Sequence, residues 1–174
     1  MNIEYEITVL EIDKNKLEEK LIELGATKIA DSLQRRNVYD FNPINPNKWI
    51  RLRTNGTKTT LTIKEVFDKN KIGGTNELEI EVSDFDKTNL VLNELGYVSR
   101  NYQENYRTSY RLGNINFDID SWPLIPTYVE IEGNSEEEVN NALKLLEIDN
   151  IKTTTLDVTS IYNEIYNIDV MSIK

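Results

Sequence analysis

The chain has 174 residues, a length that fits one domain with a sizeable core. Thirty acidic residues against twenty basic ones give a net charge of −10. That balance argues against nucleic-acid binding, which needs a basic footprint, but leaves room for a small anion in a locally basic pocket. There is no cysteine and no histidine, which removes disulfides, thiolate chemistry, histidine triads and imidazole-ligated zinc. A general base must then be Asp, Glu, Lys, Tyr or water. A metal must sit on oxygen ligands, which favours Mg²⁺, Mn²⁺ or Ca²⁺. The N-terminus lacks a signal-peptide pattern, and no apolar run reaches the ~20 residues of a membrane span, so a cytoplasmic protein with no membrane partner is expected.

The first strand is expected over 3–10. A helix follows from near Asp13, with Leu17, Leu21 and Leu24 as its buried stripe and Gly25 as its stop. A strand over 35–41 leads into Asn-Pro turn chemistry at 42–47. Strands over 49–54 and 59–66 flank Asn55-Gly56, a hairpin signal, and a polar loop leads to a strand over 77–82. That loop, residues 69–74, is not a P-loop, because no Gly-Lys-Ser/Thr opens a helix. A second helix over 86–95 stops at Gly96, and strands over 102–112 and 115–120 pair around Gly113-Asn114. Beyond Pro123 and Pro126 comes a strand over 127–132. Ser135 then opens a helix, with Glu138 three residues on as a capping box. A last helix is expected over 159–166. The fold class is thus α+β: about eight strands joined mainly by hairpins, forming an antiparallel barrel with several helices, in a single domain over 1–174.

Three strands carry Glu-x-Glu: Glu4 and Glu6, Glu79 and Glu81, Glu130 and Glu132. Alternate strand residues share a face, so each pair aims two carboxylates one way. By the same parity Arg51 and Arg53 share a face, Lys64 joins Thr60 and Thr62, Arg107 joins Asn105 and Ser109, and Asp118 joins Asp120. The opposite faces are apolar. An apolar strand face normally points inward, which would leave these charges on a solvated exterior. Against that, the charges are segregated by strand, and three or more amphipathic helices could cover the apolar face. The barrel would then be lined with charge. Arg and Lys walls can grip a phosphate chain, and carboxylates beside them can hold the divalent cation that offsets repulsion.

In this order the motifs resemble the CYTH family, the triphosphate tunnel metalloenzymes, over nearly the whole chain. The family's opening Glu-x-Glu-x-Lys is matched by Glu4-Tyr5-Glu6-Ile7-Thr8, its Leu-Arg-x-Arg by residues 50–53, and its Leu-Thr-x-Lys by 61–64. A Glu-x-Glu strand follows at 79–81, a Lys-x-Arg strand aligns with 105–107, an aspartate with Asp120, and the closing Glu-x-Glu with Glu130 and Glu132. The resemblance implies an eight-stranded tunnel in which Glu4, Glu6, Asp120, Glu130 and Glu132 hold Mg²⁺ or Mn²⁺. It implies Arg51, Arg53, Lys64 and Arg107 on triphosphate oxygens, with Glu79 and Glu81 lining the tunnel to orient basic residues or a second metal.

The implied activity is a class IV-type adenylate cyclase. The alternatives are a triphosphatase acting on tripolyphosphate, thiamine triphosphate or a nucleoside triphosphate, and a non-catalytic polyphosphate-binding module. A homodimer is one possible assembly. Thr8 and Asn105 stand where the family has lysine, and Arg35, Arg36 and Arg111 are the candidates to restore charge. Trp49 and Trp122 are expected in core or rim packing, with base stacking as the alternative. Tyr162 and Tyr166 are expected as a packing stripe.

Overall fold

The computed structural model describes residues 1–148 and 150–170. Nine strands appear in chain order: β1 Asn2–Leu10, β2 Thr27–Asp40, β3 Lys48–Thr54, β4 Thr59–Val66, β5 Thr75–Val82, β6 Ser99–Leu112, β7 Ile115–Ser121, β8 Tyr128–Gly133 and β9 Lys152–Thr154. The helices are α1 Lys14–Glu23, α2 Phe85–Glu94, α3 Glu136–Leu145 and the short α4 Val158–Ser160, which runs on into a π-helical turn at Ile161–Ile165. The strands are ordered β5-β4-β3-β2-β6-β7-β8-β1, and β1 pairs back onto β5, so eight antiparallel strands close a barrel. One edge of β1 is shared. Asn2–Glu4 pair with β5, and Thr8–Leu10 pair with β9, which takes up the backbone groups that β5 leaves.

Local chemistry sets the helix ends. The Asp13, Asp84 and Ser135 side chains accept from backbone N–H groups in the first turns of α1, α2 and α3. Glu138 Oε2 reaches back one residue beyond the cap and accepts from Asn134 N at 3.0 Å, a variant of the expected capping box. Gly25 and Gly96 take positive φ just past α1 and α2, so the repeated Glu-Leu-Gly is a helix stop used twice.

The core lies outside the barrel wall. Ile7, Val9, Phe117, Ile119, Val129 and Ile131 pack beneath Leu17 and Leu21 of α1 and Val139 and Ala142 of α3. Tyr39, Ile50 and Leu52 pack beneath Leu92 of α2. Each buried Val, Ile, Leu or Phe gains roughly 1.5–3 kcal/mol. With the apolar face consumed by the helices, the alternate residues turn into the lumen and bring their charges with them.

Two strands are longer than the sequence suggests. β2 begins at Thr27, not Arg35, because its first half pairs only with β6 and leaves Ile29 and Leu33 exposed, so no apolar alternation marks it. β6 begins at Ser99 on the same partner. The last helix is reduced to three α-helical residues and the π turn. No helix among the described residues is long and apolar enough to cross a membrane.

Candidate active site

Every strand of the ring places charged or polar side chains in the lumen. On one side Lys64 of β4 donates to Glu4 of β1 at 2.7 and 2.8 Å and lies 3.2 Å from Glu77 of β5. Arg51 of β3 stands 3.8 Å from Glu77 and 3.7 Å from Glu79, and Arg53 stands 3.9 Å from Glu79. Thr62 donates to Glu79 at 2.8 Å. Burial alone would raise the Glu77 carboxyl, but Lys64 and Arg51 outweigh it and hold the group down to about 2. Burial would likewise lower Lys64, and Glu4, Glu6 and Glu77 together keep it raised and protonated.

On the other side Arg107 of β6 gathers three acids. Its Nε donates to Asp120 at 2.8 Å and Nη2 donates to the second Asp120 oxygen; Nη1 reaches Asp118 and Nη2 reaches Glu130, each at 2.5 Å. Asn105 also donates to Asp120, at 2.7 Å. Asp120 has no solvent exposure. Burial and Glu130 push its carboxyl up to about 6 against the pull of Arg107. Glu130 is lowered instead, because Arg107 and Lys64 overcome its burial.

Glu6 and Glu132 have no such answer. They stand directly opposite each other across β1 and β8, and neither makes a hydrogen bond or an ion pair within 4 Å among the described residues. Burial, Glu130 and Glu4 raise the Glu6 carboxyl strongly; burial, Glu4 and Asp118 raise Glu132. Half-buried acids crowded in this way, in a chain with no imidazole or thiolate, offer the oxygen donors that a hard divalent cation prefers. Among the described residues no three acids come together in ligating geometry, because Lys64 holds Glu4 and Arg107 holds Glu130. Oxygen donors of the kind a hard cation takes are present, with Lys64 on Glu4 and Arg107 on Glu130.

The lumen keeps two openings. A cavity of about 160 Å³ is lined by Arg53, Arg107, Glu79 and Asp118, and one of about 60 Å³ by Glu6, Arg36, Trp49, Arg51, Lys64 and Glu130. Asp157, Val158 and Thr159 of the α4 segment also line the second, so the C-terminal region covers that end. A larger cleft of about 510 Å³ lies outside the barrel between the 69–72 loop, α3 and β9, and none of its charged side chains is buried.

Most of the residues singled out in the sequence converge here. Glu81 is the outlier: its side chain is 68 % exposed at the rim, 3.8 Å from Lys58. Thr8 and Asn105 face inward without charge. Of the three arginines that could replace it, Arg36 enters the lumen, Arg35 lies over the Phe85 ring, and Arg111 is exposed and bonds the Gly113 carbonyl. Glu77 and Asp118 share parity with named site residues yet were not counted among them; that parity is the signal that could have found them. Trp122 packs edge-on against Tyr162, whereas Trp49 lines the lumen.

A closed antiparallel barrel with its hydrophobic core outside and a charged lumen inside defines a tunnel fold. The CYTH domain model matches residues 1–160, and the chain belongs to that family. Solved structures share the architecture. A protein of Pyrococcus horikoshii superposes with a TM-score of 0.73 at 22 % identity, over 86 % of this chain and 94 % of its own. A candidate adenylate cyclase of Vibrio parahaemolyticus gives 0.72 at 10 %, over 83 % and 88 %. An adenylyl cyclase candidate of Hippeastrum, described as having a dominant triphosphatase activity, gives 0.65 at 17 %, over 92 % and 95 %. At these identities the likeness is one of fold. No curated protein matches the chain.

Proposed function

We propose that the chain is a divalent-metal-dependent enzyme whose lumen takes a small-molecule triphosphate, with conversion of ATP to cyclic AMP and pyrophosphate as its leading reaction. The observation that carries the reading is the unanswered acid pair Glu6 and Glu132 facing Arg51, Arg53, Lys64 and Arg107 across one closed lumen. Glu4, Glu6, Glu130 and Glu132 would hold Mg²⁺ or Mn²⁺. Asp120 joins them only when Arg107 turns from it to a phosphoryl oxygen. Glu79 orients Arg51 and Arg53, and Glu81 stands at the rim. When bound, the cation supplies charge neutralisation and Lewis acidity.

The chain's own groups do the rest. Arg51, Arg53 and Arg107 offer planar forks to phosphoryl oxygens and offset the charge that develops on departing pyrophosphate. Lys64 acts as a point charge beside them and not as a base, because its acid neighbours keep it protonated. Lys58, which lines the other opening, stands at the rim 3.8 Å from Glu81, so neither lysine offers a free amine deep in the lumen to activate water. That favours cyclisation, in which the attacking hydroxyl belongs to the substrate. Hydrolysis is the second reading, supported by the triphosphatase activity of the Hippeastrum protein on the same fold.

Incubation with ATP, thiamine triphosphate and tripolyphosphate in Mg²⁺ or Mn²⁺, followed by separation of products, tests the reading. Cyclic AMP with pyrophosphate supports it, and orthophosphate release selects hydrolysis. Binding without any product would replace the enzyme with a polyphosphate-binding module.

A further inference from the structure

One cation in the lumen has no acid to answer it. Arg36 faces inward from β2 with 5 % of its surface exposed. It stands directly opposite Arg53 of β3, and like charges facing each other across antiparallel strands destabilise the pairing. Arg51, Arg53, Lys64 and Arg107 each have a carboxylate within 4 Å. Among the described residues Arg36 has none. Its Nη2 donates to Asn105 Oδ1 at 2.5 Å, its guanidinium lies 4.6 Å from the centre of the Trp122 ring, and its Nε is buried without a partner. The amide and the ring fix the plane of the guanidinium without cancelling its charge. Burial, with Arg53, Arg51 and Arg107 nearby, holds its pKa down to about 9, which still leaves it a cation at neutral pH. A desolvated charge with an unused donor is costly unless something of opposite sign completes the site.

We propose that Arg36 and Arg53 grip one phosphoryl group of a linear polyphosphate between them, making Arg36 a substrate-binding residue in its own right. A phosphoryl group presents several oxygens at once, so two opposed guanidinium forks can donate to it together and the anion cancels their repulsion. Asn105 contributes by aiming Arg36, because it accepts from Arg36 while donating to Asp120. The inference rests on the proposed triphosphate reading and turns Arg36 from one of three candidates for a missing lysine's charge into a residue with a stated partner and ligand.

The experiment is a calorimetric titration of tripolyphosphate, with magnesium present, into wild type, Arg36→Gln and Arg36→Lys, with melting curves of each protein with and without the ligand. Arg36→Gln is expected to bind about tenfold more weakly or worse. Its ligand-free melting temperature should hold, since the repulsion with Arg53 is relieved, while its rise on adding tripolyphosphate shrinks. Arg36→Lys keeps the charge without the fork and should lose several-fold, and it carries the test if Arg36→Gln fails to fold. Binding within twofold of wild type by either variant overturns the role of Arg36 and leaves the triphosphate reading standing. No binding by wild type overturns that reading and this inference with it.

Discussion

Two pairs of acids face each other across neighbouring strands of the same barrel: Asp118 opposite Glu130, and Glu6 opposite Glu132. Like charges so placed repel. The first pair is answered, because Arg107 on β6 bonds Asp118, Glu130 and Asp120 together. The second is not, because Lys64, whose charge pulls on both acids, is engaged by Glu4 and Glu77. The first pair is therefore neutralised within the fold itself, and on the proposed reading the second is where a cation would supply the missing charge.

The largest expected effect breaks the answered pair. Arg107→Ala strands three buried or half-buried carboxylates, and removing one partner of a buried ion network costs about 3–5 kcal/mol. Urea unfolding should show that loss; a variant as stable as wild type would mean that the acids are solvated after all.

The unanswered pair should respond to ions instead. Magnesium at about a hundred times its dissociation constant adds about 2.7 kcal/mol, or about 5–10 °C in melting temperature for a chain of this size. Glu6→Gln should melt no lower than wild type without metal and lose most of that rise. An undiminished rise would place the ion elsewhere.

The two kinds of acid should also differ in pH dependence. Glu6 and Glu132 have folded-state pKa values above the ordinary 4.5. The folded form thus retains protons that the unfolded form releases, and the stability this gives is present below pH 4.5 and lost as pH rises through the raised values. Glu77, held down to about 2, works the other way: its contribution is present above 4.5 and lost as pH falls toward 2. Melting temperature without metal should therefore fall as pH rises above 4.5 and through the raised values, and magnesium should flatten that slope. A flat profile without metal would show that Glu6 and Glu132 are not crowded.

The smallest effect belongs to Glu81. Exposed at the rim, Glu81→Gln should change stability and triphosphate affinity by no more than about 0.5 kcal/mol. A larger loss in calorimetry would put it inside the site with Glu79.

Much of the site was legible before the fold was known, because side-chain parity along a strand is local and survives errors in strand ends. β1, β3, β4, β5, β7 and β8 were placed within a residue or two, so Glu4, Glu6, Arg51, Arg53, Lys64, Asp120 and Glu130 fell on the correct face of each. Arg36 was less legible, as it sits in the middle of a strand whose first half has no apolar alternation and whose outward neighbours include Arg35 over Phe85.

The sequence by itself determined which residues share a face, where α1 and α2 stop, and that acids and bases are sorted by strand. Each of these depends on neighbours a few residues apart. Only the tertiary structure decided that the charged face is the inner one, because that follows from β1 closing on β5 and from three helices consuming the apolar face outside. It alone also decided which charges answer each other. Strands far apart in the chain, β1 beside β8 and β2 beside β6, set Arg107 among three acids and left Glu6, Glu132 and Arg36 with no group of the opposite sign within 4 Å among the described residues.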